Sequence, residues 1–567
     1  MRTKRWLLMF VSAAALALAL GVYAAVNTPA GSTDPVQDWH SPTEMSDPRL
    51  ARLAGLEQHH EEYDAYIIGS SPAAAYDPAQ LNEYTGCRFY NLFTCGVDTS
   101  VLAEEARYLL ENYEVRHLIL DLGLNEASLC QEGAELSQAF DDPDSETDCC
   151  GNRVRDVERI GDLALYTAAH GGDFGSTDLS CLPEDPEDCA ASVRQIRSLC
   201  AEHGAELTVV FSPVCLSQQQ ADPAAIKAYK KSIAEITDFW DFSDSSVSFD
   251  SRYFYDSTHF RSAVARMCLA RMFGDDSIYI PEDFGIYVTE DTVEALFASC
   301  ETPACPDPAQ YSVDVPILMY HHIADKASDS TVVTPKTFRA HMELLRGAGV
   351  HTVSLEEMYR YVFYGEALPD HPVLITFDDG YLSNYEIAFP ILRELDMKAV
   401  TFAIGVSIGC EAYKDTGFAI TPHFGYDQIR EMLSSGVMDI QSHTYDMHQW
   451  EPFEANPPVR ASVLRFDGEG EAEYCAALRS DIQTYRQEYS ENTGAQFIAL
   501  AYPTGRYDML SESVIHAEGI PITIAAGTES ANTLVKGLPQ SLYALSRMGV
   551  SENTAAEDLL DYVHPDR

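Results

Sequence analysis

Three prolines within six residues, Pro303, Pro306 and Pro308, interrupt this 567-residue chain a little past its middle. Proline lacks an amide hydrogen and fixes φ, so such a cluster cannot lie inside a helix or a sheet. The chain is also too long for a single hydrophobic core, and the break marks where it divides. On each side, apolar segments of strand length alternate with helical ones. The first half is predicted to place strands at 65–68, 117–122 and 206–211, with helices at 101–113 and around 193–200 between them. The second half is predicted to place strands at 315–320, 371–376, 399–404 and 438–441, with helices at 335–348, 385–395 and 426–434. Strands separated by helices build parallel sheets with helices on their faces, so both halves are expected to be α/β.

With 46% hydrophobic and 22% charged residues the chain is ordinary globular material, but its net charge of −51 is extreme. Such a surface repels phosphate backbones and anionic headgroups, so nucleic acid is not an expected partner, and solubility is the simplest role for the charge. Arg2, Lys4 and Arg5 precede an apolar run at 6–26, which suits a signal peptide cut after Ala24 or an uncut membrane anchor. Export follows in either case, and the expected location is extracytoplasmic, secreted or anchored. The expected organisation is 1–26 as signal or anchor, 27–49 as a flexible tether, 50–300 as a first domain, 301–311 as a linker and 312–567 as a second domain. The membrane is met only through the first segment, and no protein partner is implied. Twelve of the 14 cysteines lie between Cys87 and Cys305, and close pairs such as Cys181/Cys189 and Cys300/Cys305 suit local disulfides in an oxidising compartment.

The densest chemistry lies at 376–381 and 442–448. Thr376-Phe377-Asp378-Asp379-Gly380-Tyr381 ends an apolar strand on two carboxylates and a glycine that permits a sharp turn. Successive side chains of a strand point apart, so the carboxylates can serve different partners. His443 and His448 are five residues apart. On a helix that spacing separates them by about 140°, so they must converge from a loop. One aspartate and two histidines make a three-ligand set for a divalent metal, with a position left for water, and the other aspartate can take a proton from that water. Such ligands suit Zn²⁺, with Co²⁺, Ni²⁺ or Fe²⁺ as alternatives. Hydrolysis is the expected chemistry.

Together with Val315-Pro316-Ile317-Leu318-Met319-Tyr320-His321-His322-Ile323 and Ala501-Tyr502-Pro503-Thr504-Gly505-Arg506, these segments resemble the polysaccharide deacetylases of the NodB-homology type, carbohydrate esterase family 4. The likeness is to the branch acting on poly-N-acetylglucosamine-type exopolysaccharides. It covers about 312–567 and implies an irregular (β/α) barrel. It further implies Asp379, His443 and His448 as metal ligands, Asp378 as general base and the Thr504 N–H as an oxyanion donor. Tyr381, Tyr502, Pro503 and His322 are implied on the substrate side. Members with the fuller third motif carry arginines two and five residues before the proline, where this chain has Ala501 and Ile498. Arg547 is the candidate to orient the base instead. The late histidine that many members use as general acid has no clear counterpart, His516 being the weak candidate and a metal-bound water the alternative.

In the first half, Tyr66-Ile67-Ile68-Gly69-Ser70-Ser71 runs a strand into a small-residue turn, a suitable seat for a nucleophilic hydroxyl. Taken with Gly96, Asn125 and Asp256-Ser257-Thr258-His259, this order resembles the SGNH (GDSL-like) hydrolases. That resemblance implies a three-layer α/β/α, flavodoxin-like domain. It implies Ser71 as nucleophile, Gly96 and Asn125 as oxyanion donors, and Asp256 and His259 completing a triad. Ser70 replaces the aspartate of the family signature, so either serine is open as nucleophile. The expected function is an exported, metal-dependent deacetylase acting on N-acetyl groups of an amino-sugar polymer, with a second O-acetylesterase or acyltransferase site. A xylan-type O-acetyl esterase and a glycan-binding surface protein with two degenerate hydrolase domains are the competing readings.

Overall fold

The computed structural model describes residues 56–94, 97, 99–124, 186–215, 223–254, 259–298, 310–454, 458–527 and 531–564. The chain forms two compact units, the first drawn from residues 1–305 and the second dominated by 306–567. The predicted 1–26 and 27–49 segments lie outside the described residues, as do Cys181, Cys300 and Cys305 of the predicted disulfides. Cys87, Cys200, Cys268, Cys410 and Cys475 are thiols. Among the described residues no helix is long and apolar enough to cross a membrane.

The first unit is built on a six-stranded sheet: β1 (Ala65–Gly69), β2 (Phe89–Asn91), β3 (His117–Leu122), β4 (Glu206–Phe211), β5 (Phe239–Asp241) and β6 (Ile286–Val288). Their spatial order is β2-β1-β3-β4-β5-β6, parallel except for β6. The first five follow the doubly wound order in which the chain reverses direction between β1 and β3. Every residue of β1 and β3 is buried, as strands covered on both faces must be, and this is why they read as unbroken apolar runs. The helix Thr99–Asn112 buries Leu102, Ala103, Ala106, Leu109 and Leu110, a single stripe at helical spacing.

The second unit contains β7 (Ser312–Val315), β8 (Ile317–Tyr320), β9 (His322–Ile323), β10 (Val332–Val333), β11 (His351–Thr352) and β12 (Pro372–Phe377). It continues with β13 (Ala399–Ala403), β14 (Met438–Ser442), β15 (Ala499–Ala501), β16 (Ile522–Ile524), β17 (Asn532–Val535) and β18 (Met548–Gly549). A parallel sheet in the order β16-β15-β14-β13-β12-β8-β18 curls into a half-barrel, with β11 added beside β12. Residues 545–549 cross its open seam. Leu545 bridges Ile524 at one edge, and Met548 and Gly549 pair with Leu318 and Met319 at the other.

Two predicted elements differ in the structure. The strand expected at 315–320 is split, because Pro316 has no N–H for a ladder; β7 turns away to pair antiparallel with β17, and β8 enters the barrel. The helix expected at 385–395 begins with one π-helical turn, Asn384–Ala388, before the α-helix Phe389–Leu395. Pro390 cannot donate to the preceding turn, which leaves the ladder wide there.

Candidate active site

The two carboxylates stand where β12 ends, at the carboxyl edge of the barrel. Asp379 and Gly380 both have positive φ, 72° and 88°. Only glycine fits at 380 without strain, since an added Cβ would come within 2.9 Å of the Ala403 side chain. This turn sends Asp378 inward, where it is 3% exposed, and aims Asp379 at the loop that follows β14. That loop is also held: Asp481 accepts hydrogen bonds from the Tyr445 and Asp446 amides, both at 2.8 Å. Asp481 comes from the 23-residue helix Glu471–Thr493.

His443 and His448 converge from the loop. Their Nε2 atoms lie 3.7 and 3.6 Å from Asp379 Oδ1, and one ligand atom from each of the three residues lies within 4.8 Å of the others. His443 is buried, and its Nδ1 is 2.8 Å from the Ala501 carbonyl. A carbonyl only accepts, so Nδ1 carries the hydrogen and the Nε2 lone pair faces Asp379. Burial lowers the His443 pKa to about 4, which keeps that lone pair free. The donor set therefore fits a divalent cation.

Asp378 is gripped from the opposite side. Arg547 donates Nη1–H to Oδ1 at 2.7 Å and Nη2–H to Oδ2 at 2.8 Å, a bidentate pair. Arg547 is 1% exposed; its Nε–H goes to the Ala525 carbonyl, and Nη1 also reaches Thr376 Oγ1 at 3.2 Å. Burial alone would push the Asp378 carboxyl up, but the Arg547 charge and hydrogen bonds outweigh it and hold the group well below the usual carboxylate range. His321 Nε2 stands 4.0 Å from Asp378 Oδ2. Thr504 has φ 61°, outside the helical region, at the second position of the turn Pro503–Gly505 after β15, and the turn's own hydrogen bonds run from the Gly505 and Arg506 amides.

Residues 365–522 match the family model for polysaccharide deacetylase. The C-terminal half carries a polysaccharide deacetylase domain. YxkH of Bacillus subtilis strain 168, whose name is that of a polysaccharide deacetylase, is 29% identical over 44% of this chain and 76% of its own length. A poly-β-1,6-N-acetyl-D-glucosamine N-deacetylase of Escherichia coli K12 is 30% identical over 23% of this chain, which spans only 20% of that relative. An enzyme of the same name from Staphylococcus epidermidis is 31% identical over 30% of this chain and 54% of the relative.

Other residues expected around the deacetylase site are placed differently. Tyr502 is fully buried and stacks on Tyr507 with ring centroids 4.9 Å apart, and Pro503 is buried too. Both side chains, expected on the substrate side, are buried in the core in this structure. His516, the weak candidate for general acid, has Nδ1 2.7 Å from the Ile520 carbonyl and Nε2 2.5 Å from Glu512. Both ring nitrogens are committed within its own helix end. Tyr320 is buried against His341. His322 holds Ser383 Oγ at 2.9 Å and packs on Tyr381, which lies between His322 and His423. Burial, then the Asp379 charge, raises the Tyr381 phenol well above its ordinary pKa, so it stays protonated beside that carboxylate.

In the first unit, Ser71 Oγ and His259 Nε2 are 2.8 Å apart although 188 residues separate them. Ser71 begins the turn directly after β1. Ser70 is 3% exposed and its hydroxyl has no hydrogen-bond partner among the described residues, so of the two serines it is Ser71 that meets the imidazole. Gly96, Asn125 and Asp256 lie outside the described residues.

Proposed function

We propose that this protein is an exported, metal-dependent hydrolase that removes N-acetyl groups from an amino-sugar polymer. The observation that supports it most is the convergence of Asp379, His443 and His448 beside the Asp378–Arg547 pair. Asp379, His443 and His448 would hold a divalent cation, Zn²⁺ in this reading, which when bound would supply Lewis acidity toward water and an acetamide carbonyl. Asp378 takes the proton, and Arg547 keeps it ionised and fixed in direction. His443, its Nδ1–H tied to Ala501, turns only Nε2 to the site. The Thr504 N–H is the donor for the oxyanion that develops as the carbonyl becomes tetrahedral. The same atoms would cleave an O-acetyl ester. The relatives' names, with poly-β-1,6-N-acetylglucosamine as substrate, favour the amide.

Acetate release from N-acetylated glucosamine polymers, measured on the full chain before and after chelation and after adding back Zn²⁺, Co²⁺, Ni²⁺ or Fe²⁺, tests this reading. Chelation is expected to abolish release, and one of the four ions to restore it. Release that survives complete removal of metal would refute it. Export rests on Arg2, Lys4 and Arg5 preceding the apolar run at 6–26.

A second reading concerns the first unit, which we propose is an SGNH-like serine hydrolase or acyltransferase acting on O-acyl groups. The Ser71–His259 hydrogen bond favours it, as does its position at the carboxyl end of β1, where sheets of this order bind ligands. His259 Nε2 would take the Ser71 proton as Oγ attacks an ester carbonyl; the alcohol leaves with that proton, and water or another hydroxyl then accepts the acyl group. A fluorophosphonate is expected to label the full chain, Ser71→Ala to abolish labelling, and Ser70→Ala to leave it. Labelling that persists in Ser71→Ala removes the assignment.

A further inference from the structure

Of the large apolar side chains exposed among the described residues, the most exposed are Trp450 at 58% and Phe418 at 52%. They belong to one cluster. Phe453 stacks on Phe418 with centroids 4.9 Å apart, meets Trp450 edge-on at 4.8 Å, and lies 5.4 Å from Tyr413. Both stretches of chain that carry these rings are tied to the metal-ligand set. Trp450 follows the ligand His448 by two residues. Phe418 lies on a hairpin whose arms pair at Ala412 and Ala419, and whose base is bridged through His423 to Tyr381, two residues beyond Asp379.

The two stretches are also locked to each other. Lys414 Nζ reaches Asp446 at 2.7 Å and Glu454 at 2.5 Å. The Tyr413 hydroxyl donates to Glu454 at 2.6 Å and accepts from the Trp450 amide at 3.2 Å. A half-buried ion-paired network thus braces a rim whose outer surface is aromatic. Leaving such rings in water forgoes burial energy, and clustered exposure of this kind marks a contact surface.

We propose that Phe418 and Trp450 form a shelf that binds pyranose rings of the polymer next to the sugar whose acetamide lies at the metal-ligand set. The proposal rests on the deacetylase reading, and the shelf's continuity with that set identifies the occupant. A pyranose presents an apolar C–H face that packs on an aromatic ring while its hydroxyls stay in water, as amphipathic recognition requires. An N-acetylated sugar carries no charge and needs no counter-ion from the shelf, whose cation, Lys414, is already held by Asp446 and Glu454. The shelf therefore adds affinity for polymer length and not for the acetyl group itself.

The test is the chain-length dependence of binding and turnover. N-acetylglucosamine oligomers of two to six units are titrated calorimetrically into the full chain held in chelator, and acetate release is followed in parallel with metal restored. Longer oligomers are expected to bind the wild type about tenfold more tightly than the dimer, from one or two ring contacts. Trp450→Ala and Phe418→Ala are expected to flatten that dependence, and Trp450→Phe to restore most of it. Tyr364→Ala, an exposed tyrosine on the helix Leu355–Tyr364, serves as the control that leaves it unchanged. A dependence that survives both shelf variants, or an equal loss at every length, would overturn the proposal. Self-association of the full chain that Trp450→Ala abolishes would assign the shelf to a second copy and overturn it too. Length-dependent binding without acetate release from any oligomer would separate failure of the deacetylase reading from failure of the shelf.

Discussion

Asp378→Asn is expected to lower acetate release by about 10²–10⁴-fold, the range a positioned general base contributes, while bound metal stays stoichiometric. Asp379→Ala is expected to lose both. The two residues are adjacent, yet the positive φ at Asp379 sends their carboxylates to different partners. Asp379 Oδ1 faces two imidazole nitrogens at 3.6 and 3.7 Å, whereas both oxygens of Asp378 are taken by Arg547. Removing Asp379 therefore strips one of three ligands, and removing the Asp378 charge strips none. The amide of Asp378→Asn still accepts one hydrogen bond from Arg547 but leaves a buried guanidinium without its counter-charge. Breaking a buried pair in this way costs about 3–5 kcal/mol, so a lowered melting temperature is expected alongside retained metal. Metal content by elemental analysis, set against acetate release on the same samples, decides the matter. Equal metal content in the two variants would overturn the division of roles.

How much of this site could be read without coordinates depended on range along the chain. The Asp378-Asp379-Gly380 turn and the His443/His448 pair are local patterns, and their spacing alone required a loop and two separate roles. The structure adds why the loop stays in place, the two amide hydrogen bonds to Asp481, and that bond pairing spans 35 residues with no sequence signal. Arg547 lies 169 residues from Asp378. Its neighbours Leu545 and Met548 show no motif, and only the crossing of the barrel seam explains how it reaches the base. Tyr502 and Pro503 show the opposite failure. They precede Thr504 in sequence, but a side chain and a backbone amide at one turn face different ways, and the motif did not tell them apart. In the first unit the strand at 117–122 was legible because full burial leaves an uninterrupted apolar run. The meeting of Ser71 with His259 was implied by family likeness only, since order along the chain says nothing about distance.

Arg547→Ala is expected to reduce turnover and, more tellingly, to move the acidic limb of the pH profile upward. In the wild type burial raises the Asp378 pKa, and Arg547 together with the imidazoles of His443 and His321 lowers it further than burial raises it. The carboxylate is thus held ionised well below the ordinary carboxylate range, and an acidic limb nearer neutrality is expected from another group. Without the guanidinium the main influence opposing burial is gone, leaving only the weaker pull of the His443 and His321 imidazoles against it, and burial of a carboxyl can raise it by as much as 3–5 units. Asp378 would then take up its proton at a higher pH than in the wild type and cease to be a base below that point. The stability linkage changes sign with it. The wild-type pair, whose folded pKa is depressed, stabilises the fold above the ordinary carboxylate range and loses that contribution only as pH falls through the depressed value. In Arg547→Ala the folded pKa is raised, so the variant is favoured at acid pH and loses stability as pH rises through the new value. Arg547→Lys restores a charge but not the paired N–H donors, and is expected to fall between the two. Rate and melting temperature against pH test both limbs. An Arg547→Ala profile that coincides with the wild type would show that Arg547 holds Asp378 without governing its charge.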